Sequence, residues 1–235
     1  MKILYIFPHP DDESFGPAQA ISSQLREGHQ VYLLTLTKGE ATKERHKLGV
    51  SLEEMGDIRY QEMLEVEKVL GLTGMTVLGL PDSELKEMDP IDIEEVVEKH
   101  IHELKPDVIV TYAVHGISGF QDHLVSHAVV KRIFCDMKRR KISYPKRLAL
   151  FTLGPDFESN GPFNMNTSSL DEIDCIVEVD DIDSQNGKAA LDCYKTYLDV
   201  IEKTGVREIT HLPVHYEFFG EEFDPPLSKI TDKLD

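Results

Sequence analysis

Residues 2–7, KILYIF, form an apolar run of strand length. Similar runs follow at VYLLTLT (31–37), MTVLGL (75–80), DVIVTYA (107–113), RLALFTL (147–153) and DCIVEV (174–179), and HYEFF (215–219) reads as a final strand. Runs apolar on both faces suit the buried strands of a parallel sheet. Between them the apolar spacing becomes helical. Residues 17–27 end at Gly28, and residues 51–70 carry Met55, Ile58, Met63, Val66, Val69 and Leu70 before Gly71. Residues 91–104 align Ile91, Val97, Ile101 and Leu104 and stop before Pro106; residues 122–141 and 184–203 complete the helices.

This alternation predicts right-handed crossovers and a Rossmann-like α/β fold: an open, mostly parallel sheet with helices on both faces. A single domain over residues 1–235 fits the length. The Gly-, Pro-, Asn- and Ser-rich stretch 154–170 reads as a long functional loop, and the polar segment from Gly220 as a poorly ordered tail.

In such sheets ligands bind beyond the carboxyl ends of the strands, near the reversal of strand order. Two loops there carry chemistry. IFPHPDDESFG (6–16) sets His9, Asp11, Asp12 and Glu13 at the end of the first strand. Crowded carboxylates repel one another and are costly to desolvate without a cation. The second loop, VHGISGFQDHLVSH, supplies His115, Asp122, His123 and His127. Two histidines and a carboxylate from different loops suit a catalytic zinc, which takes three protein ligands and keeps a fourth position open. The alternative is that Asp11 or Asp12 caps the next helix while His9 packs on the sheet. Glu13 reads as a helix-start residue.

Charge narrows the partners. Asp and Glu total 43 against 25 Lys and Arg, a net charge of −18. Such a surface repels nucleic acid and anionic membranes, so neither is expected. No GxGxxG cradle follows the first strand, which disfavours a dinucleotide-binding protein. Cys135, Cys175 and Cys193 are scattered and read as reduced thiols. With no signal-peptide pattern or membrane-length run, the expected location is cytoplasmic; a homo-oligomer stays open.

PHPDDE after an N-terminal strand resembles the signature of the LmbE-like (PIG-L) zinc-dependent N-acetylglucosamine deacetylase family. GFQDH (119–123) resembles that family's GHPDH block, and IRYQEM (58–63) its Arg-bearing RxxE helix. Within the family, HGISGFQDH and ESFGPA are most similar to the bacillithiol-pathway N-acetylglucosaminyl-malate deacetylases. By motif position, the resemblance implies that His9, Asp12 and His123 hold one Zn2+ per chain, with another divalent metal as the alternative. It implies Asp11 as general base, Arg59 as a contact to the substrate's polar groups, and Asp122 as the group that orients an imidazole. The family's oxyanion-stabilising His is Phe120 here, so His115 is the expected substitute. Tyr194 stands in YKTY where the family has HxxQ, which places it in the acceptor pocket or at the oxyanion.

The implied activity is hydrolysis of the N-acetyl group of a small amino-sugar conjugate, N-acetylglucosaminyl malate being the expected one. Two further readings stay open. One is an amidase for thiol conjugates, which needs a deeper apolar pocket. The other is a non-catalytic metal- or sugar-binding protein on the same scaffold, against which the presence of Asp11 argues.

Overall fold

The apolar runs form β1 (Lys2–Phe7), β2 (Gln30–Thr37), β3 (Gly74–Leu80), β4 (Val108–Tyr112) and β5 (Arg147–Thr152), all paired in parallel. β6 (Cys175–Val177) and β7 (Val214–Phe218) complete a seven-stranded sheet of order β3-β2-β1-β4-β5-β7-β6, with β7 antiparallel to both neighbours. The computed structural model describes residues 1–158 and 164–234. Of the expected loop 154–170, residues 159–163 lie outside the described residues.

Side chains alternate across β1. Ile3, Tyr5 and Phe7 enter one apolar layer, Leu4 and Ile6 the other. The helices are α1 (Ala18–Arg26), α2 (Glu44–Leu48), α3 (Leu52–Leu70), α4 (Pro90–Leu104), α5 (Gln121–Arg139), α6 (Asp181–Cys193) and α7 (Leu198–Thr204). α1, α3, α6 and α7 supply the first layer and α4 and α5 the second, so both faces are covered, as expected of a Rossmann-like fold. Local sequence sets the helix ends. Ser51 and Glu54 form a capping box at the start of α3, and Gly71 closes it at φ +72°. On α4 the buried stripe is Ile93, Val97 and Ile101, while Ile91 is 53% exposed in the first turn.

Two expectations are corrected. The helix expected over 184–203 is broken between α6 and α7. Glu62 accepts both the amide (2.7 Å) and the hydroxyl (2.8 Å) of Thr196, and Tyr194 donates to Glu13 (2.7 Å); these bonds take the chain out of a helical path. The segment from Gly220 is tied down. Arg147 donates through Nη1 to the carbonyls of Ile230 (2.7 Å) and Asp232 (3.0 Å), and through Nε and Nη2 to Glu221. The Leu227 amide donates to Asp174 O (2.8 Å), and Leu227 O accepts from Ile176 (2.9 Å).

Strand order reverses at β1: β2 and β3 extend to one side, β4 and β5 to the other. The crevice this creates lies at the carboxyl ends of β1 and β4.

Candidate active site

The chain leaves β1 and turns at once. Asp11 takes φ +86°, outside the regions most side chains favour, and its carbonyl accepts the amides of Ser14 and Phe15. α1 begins only at Ala18, so neither Asp11, Asp12 nor Glu13 caps it, and the helix-start reading of Glu13 is corrected. The turn instead sends the three carboxylates to three different partners. Asp11 Oδ2 accepts from Arg59 Nη2 (2.7 Å), which also donates to Pro10 O (2.8 Å). Asp12 accepts from the His9 amide (2.8 Å) and the Tyr112 hydroxyl (2.7 Å). Glu13, fully buried, accepts from Ser14 (2.5 Å) and Tyr194 (2.7 Å).

The first turn of α5 brings the second histidine. His123 donates from Nδ1 to Gly116 O (2.9 Å); a carbonyl only accepts, so Nδ1 carries a proton and Nε2 is the nitrogen left to meet a ligand. That Nε2 lies 3.3 Å from Asp12 Oδ1, and the Tyr112 ring stacks on the imidazole at 4.2 Å. His9 Nε2 faces Asp122 Oδ2 (3.1 Å) and Asp82 Oδ1 (3.3 Å), while its Nδ1 is 3.6 Å from Asp12 Oδ2. Ligand atoms of His9, Asp12 and His123 lie within 4.8 Å of one another, and so do those of His9, Asp82 and Asp122. The first set fits a metal. Its two imidazoles each give their outer N–H to an oxygen acceptor, which is how protein sites commonly orient a metal-binding histidine.

Charge in the cluster is divided. Burial alone would lower His9, but its bonds to Asp122 and Asp82 and the nearby Asp12 charge lift it to about 10. Burial raises Asp11 against the opposing pull of Arg59. Asp12 is lowered: burial works against its ionisation, and His123, His9 and Tyr112 outweigh it. Burial pushes Glu13 up to about 7. Adjacent carboxyls driven in opposite directions are the usual mark of an acid–base pair with divided roles.

The structure therefore brings His9, Asp11, Asp12, Asp122 and His123 together. Three expected site residues have other partners than expected. Arg59 is 1% exposed and bonded to Asp11, so it offers the substrate no surface and holds the carboxylate in place. Tyr194 is fully buried and its hydroxyl is engaged with Glu13, so it is part of the floor beneath the loop. His115 accepts the Ile117 amide at Nδ1 (3.0 Å), and its Nε2 faces the hydroxyls of Thr152 and Ser168 (both 3.3 Å); none of these bonds is to the cluster. His127 donates to Tyr112 O (2.9 Å), a structural bond.

Sequence reasoning missed Asp82 and Tyr112. Asp82 follows β3, Oδ2 accepts the Ala41 amide (2.7 Å), and the next residue's amide donates to Asp122 (2.8 Å). The signal was an acidic turn residue at the carboxyl end of a strand near the switch point. Tyr112 was hidden inside an apolar strand run.

Residues 4–134 match the family described as PIG-L: GlcNAc-PI de-N-acetylase. Among relatives, a 1D-myo-inositol 2-acetamido-2-deoxy-alpha-D-glucopyranoside deacetylase of Thermomonospora curvata is 32% identical over 56% of this chain and 51% of its own length. A probable N-acetyl-alpha-D-glucosaminyl L-malate deacetylase 2 of Bacillus subtilis is 28% identical over 63% of this chain and 66% of its own length. The matches thus span about half to two thirds of these relatives. The fold resembles that of N,N'-diacetylchitobiose deacetylase from Pyrococcus horikoshii, with a TM-score of 0.68, 17% identity, and coverage of 93% of this chain and 83% of that one. With more than half of its 235 residues inside the family match, and His9, Asp11, Asp12 and His123 all within it, the chain belongs to the PIG-L family of GlcNAc-PI de-N-acetylases.

Proposed function

We propose that the protein is a zinc-dependent deacetylase that removes the N-acetyl group from an N-acetylglucosamine conjugate, with His9, Asp12 and His123 as metal ligands and Asp11 as general base. The observation that carries this reading is the orientation of His123: with Nδ1 bonded to Gly116 O, Nε2 is turned to Asp12 (3.3 Å), and the His9 ring lies 5.3 Å from the His123 ring. Zinc, when bound, supplies a Lewis acid and acidifies a water. Asp11, pinned by Arg59 beside the ligands and raised by burial, accepts the proton of the attacking water and returns it to the departing amine. Asp122 holds the Nε2–H of His9 and so aims its Nδ1 inward. The products are acetate and a free amino sugar.

The relatives' names support an N-acetylglucosamine conjugate and differ in the second moiety, inositol in one and malate in the other. The malate conjugate called for a cation at the site, and Arg59 is already committed to Asp11. The test is acetate release by zinc-loaded protein from a panel of N-acetylglucosamine glycosides that includes the malate and inositol conjugates. A protein that binds zinc and releases no acetate from any of them refutes the reading.

A further inference from the structure

The carboxyl end of the sheet holds a second concavity, between the end of β5 and the start of β7. Its volume of about 280 Å3 falls just below the ~300–1,000 Å3 of whole ligand pockets, a size for part of a ligand. Phe151, Leu153, Phe157, Leu170, Leu212 and Val214 make its walls mostly apolar. The mouth is apolar too, since Leu170 is 67% and Leu212 38% exposed. Thr152, Asp156, His215 and Gln19 are its polar lining; Gln19 is 3% exposed, and its Oε1, which stands beside Gly187 of α6, has no hydrogen-bond partner among the described residues. A buried amide oxygen without a partner is costly unless a ligand satisfies it.

The cavity adjoins the His9 cluster. Its wall residue Phe151 packs on Tyr112 (centroids 6.0 Å apart), whose hydroxyl donates to Asp12. Gly16, on the same loop as Asp11 and Asp12, forms the near edge; a Cβ there would stand 2.5 Å from the Phe151 ring. Asn166 bonds to Ile117 O and Ser168 to Leu153 O, so one segment borders both the loop that leads into α5 and the cavity. Only β4 separates β1 from β5, and at ~4.8 Å per strand the step is ~10 Å, within reach of a substituent on a bound hexose.

We propose that this cavity is a subsite for an apolar group carried by the amino-sugar substrate, an alkyl chain or an aromatic ring, with the Gln19 carboxamide making one hydrogen bond to its linkage. The proposal takes the position of the sugar from the deacetylase reading above. The lining offers a carboxylate or phosphate only His215, with the like-charged Asp156 in the same lining, and a net charge of −18 opposes an anionic group at longer range.

Calorimetry on the zinc-loaded protein tests it with two ligand series. In one, methyl, butyl, hexyl and octyl N-acetylglucosaminides lengthen the aglycone. In the other, methyl glucosaminides carry lengthening N-acyl chains. Affinity is expected to rise about fourfold per methylene in one series, the equivalent of ~0.8 kcal/mol per buried CH2, and to level off once the cavity is full. Which series rises tells where on the sugar the apolar group sits. The double variant Leu170→Glu/Leu212→Glu, changed only at exposed positions, is expected to flatten that rise. Flat affinity in both series overturns the proposal, and so does a rise that survives in the double variant. A rise without acetate release from any glycoside keeps the subsite and removes the deacetylase reading; acetate release with flat affinity does the reverse.

Discussion

Arg59 and Arg147 are both enclosed guanidiniums, 1% and 0% exposed, each lying on an aromatic ring, Tyr197 at 4.0 Å and Phe218 at 4.1 Å. They differ in how completely they are satisfied. Nε, Nη1 and Nη2 of Arg147 all donate, to Glu221 and to two main-chain carbonyls. Arg59 works through Nη2 alone, and its Nε and Nη1 have no partner among the described residues. A buried charge with unmet donors is costly. Folds keep such groups where a function needs them, whereas a fully satisfied charge serves architecture. On this comparison Arg147 fastens the end of the chain and Arg59 fastens Asp11.

The comparison is sharpest in turnover. His123→Ala is expected to lose both the metal and all measurable activity; metal analysis showing full occupancy would remove His123 from the ligand set. Asp11→Asn should keep the metal and lose about 10²–10⁴-fold in kcat, while near wild-type turnover would move the base elsewhere. Arg59→Met should lower kcat by about 10²-fold through a misplaced Asp11, with KM nearly unchanged. A change confined to KM would restore the substrate contact first expected of it.

Stability should show the opposite ranking. Arg147→Met leaves Glu221 and two carbonyls without their donor; because Glu221 is partly exposed, the expected loss is at the low end for a broken ion pair, about 3 kcal/mol. Turnover per folded molecule should not change. Equal effects of the two arginine substitutions on denaturant midpoint and on kcat would erase the distinction between them.

A smaller effect should appear with pH. In the metal-free protein His9 is raised from 6.5 to about 10, so it is charged at neutral pH and must give up the proton on Nδ1 to serve as a ligand. Zinc uptake at pH 8 is expected to release a proton, and apparent affinity to fall up to tenfold per pH unit of acidification. The sign for folding is reversed. A raised pKa stabilises the metal-free protein fully below 6.5, and that contribution fades as pH rises through about 10. Calorimetry in buffers of different ionisation enthalpy and melts of the metal-free protein measure the two slopes. Uptake without proton release would place the metal away from His9.

The sheet and the chemistry-bearing loops were legible because their signals are local: unbroken apolar runs, and a His and carboxylates packed into PHPDDE. The partners of those groups were not. Arg59 reaches Asp11 across 48 positions, Tyr112 reaches Asp12 across 100 and Tyr194 reaches Glu13 across 181, and no periodicity connects such pairs. Arg59 and Tyr194 carried the right location and the wrong partner for this reason. Burial decided it, by pairing Arg59 with Asp11 and Tyr194 with Glu13. The segment from Gly220 misled in a related way, since its anchors are main-chain carbonyls and amides that side-chain composition does not reveal.

The antiparallel return of β7 beside β5 has an evolutionary consequence. All the residues assigned to the metal and the proton lie before position 124, inside the matched stretch 4–134, while most walls of the neighbouring cavity come from residues 151–215, outside it. On the proposed roles, reaction and selection are written in successive halves of the gene. Mutation can then remodel the second half, exchanging one class of substrate for another, while the codons for the chemistry are left untouched.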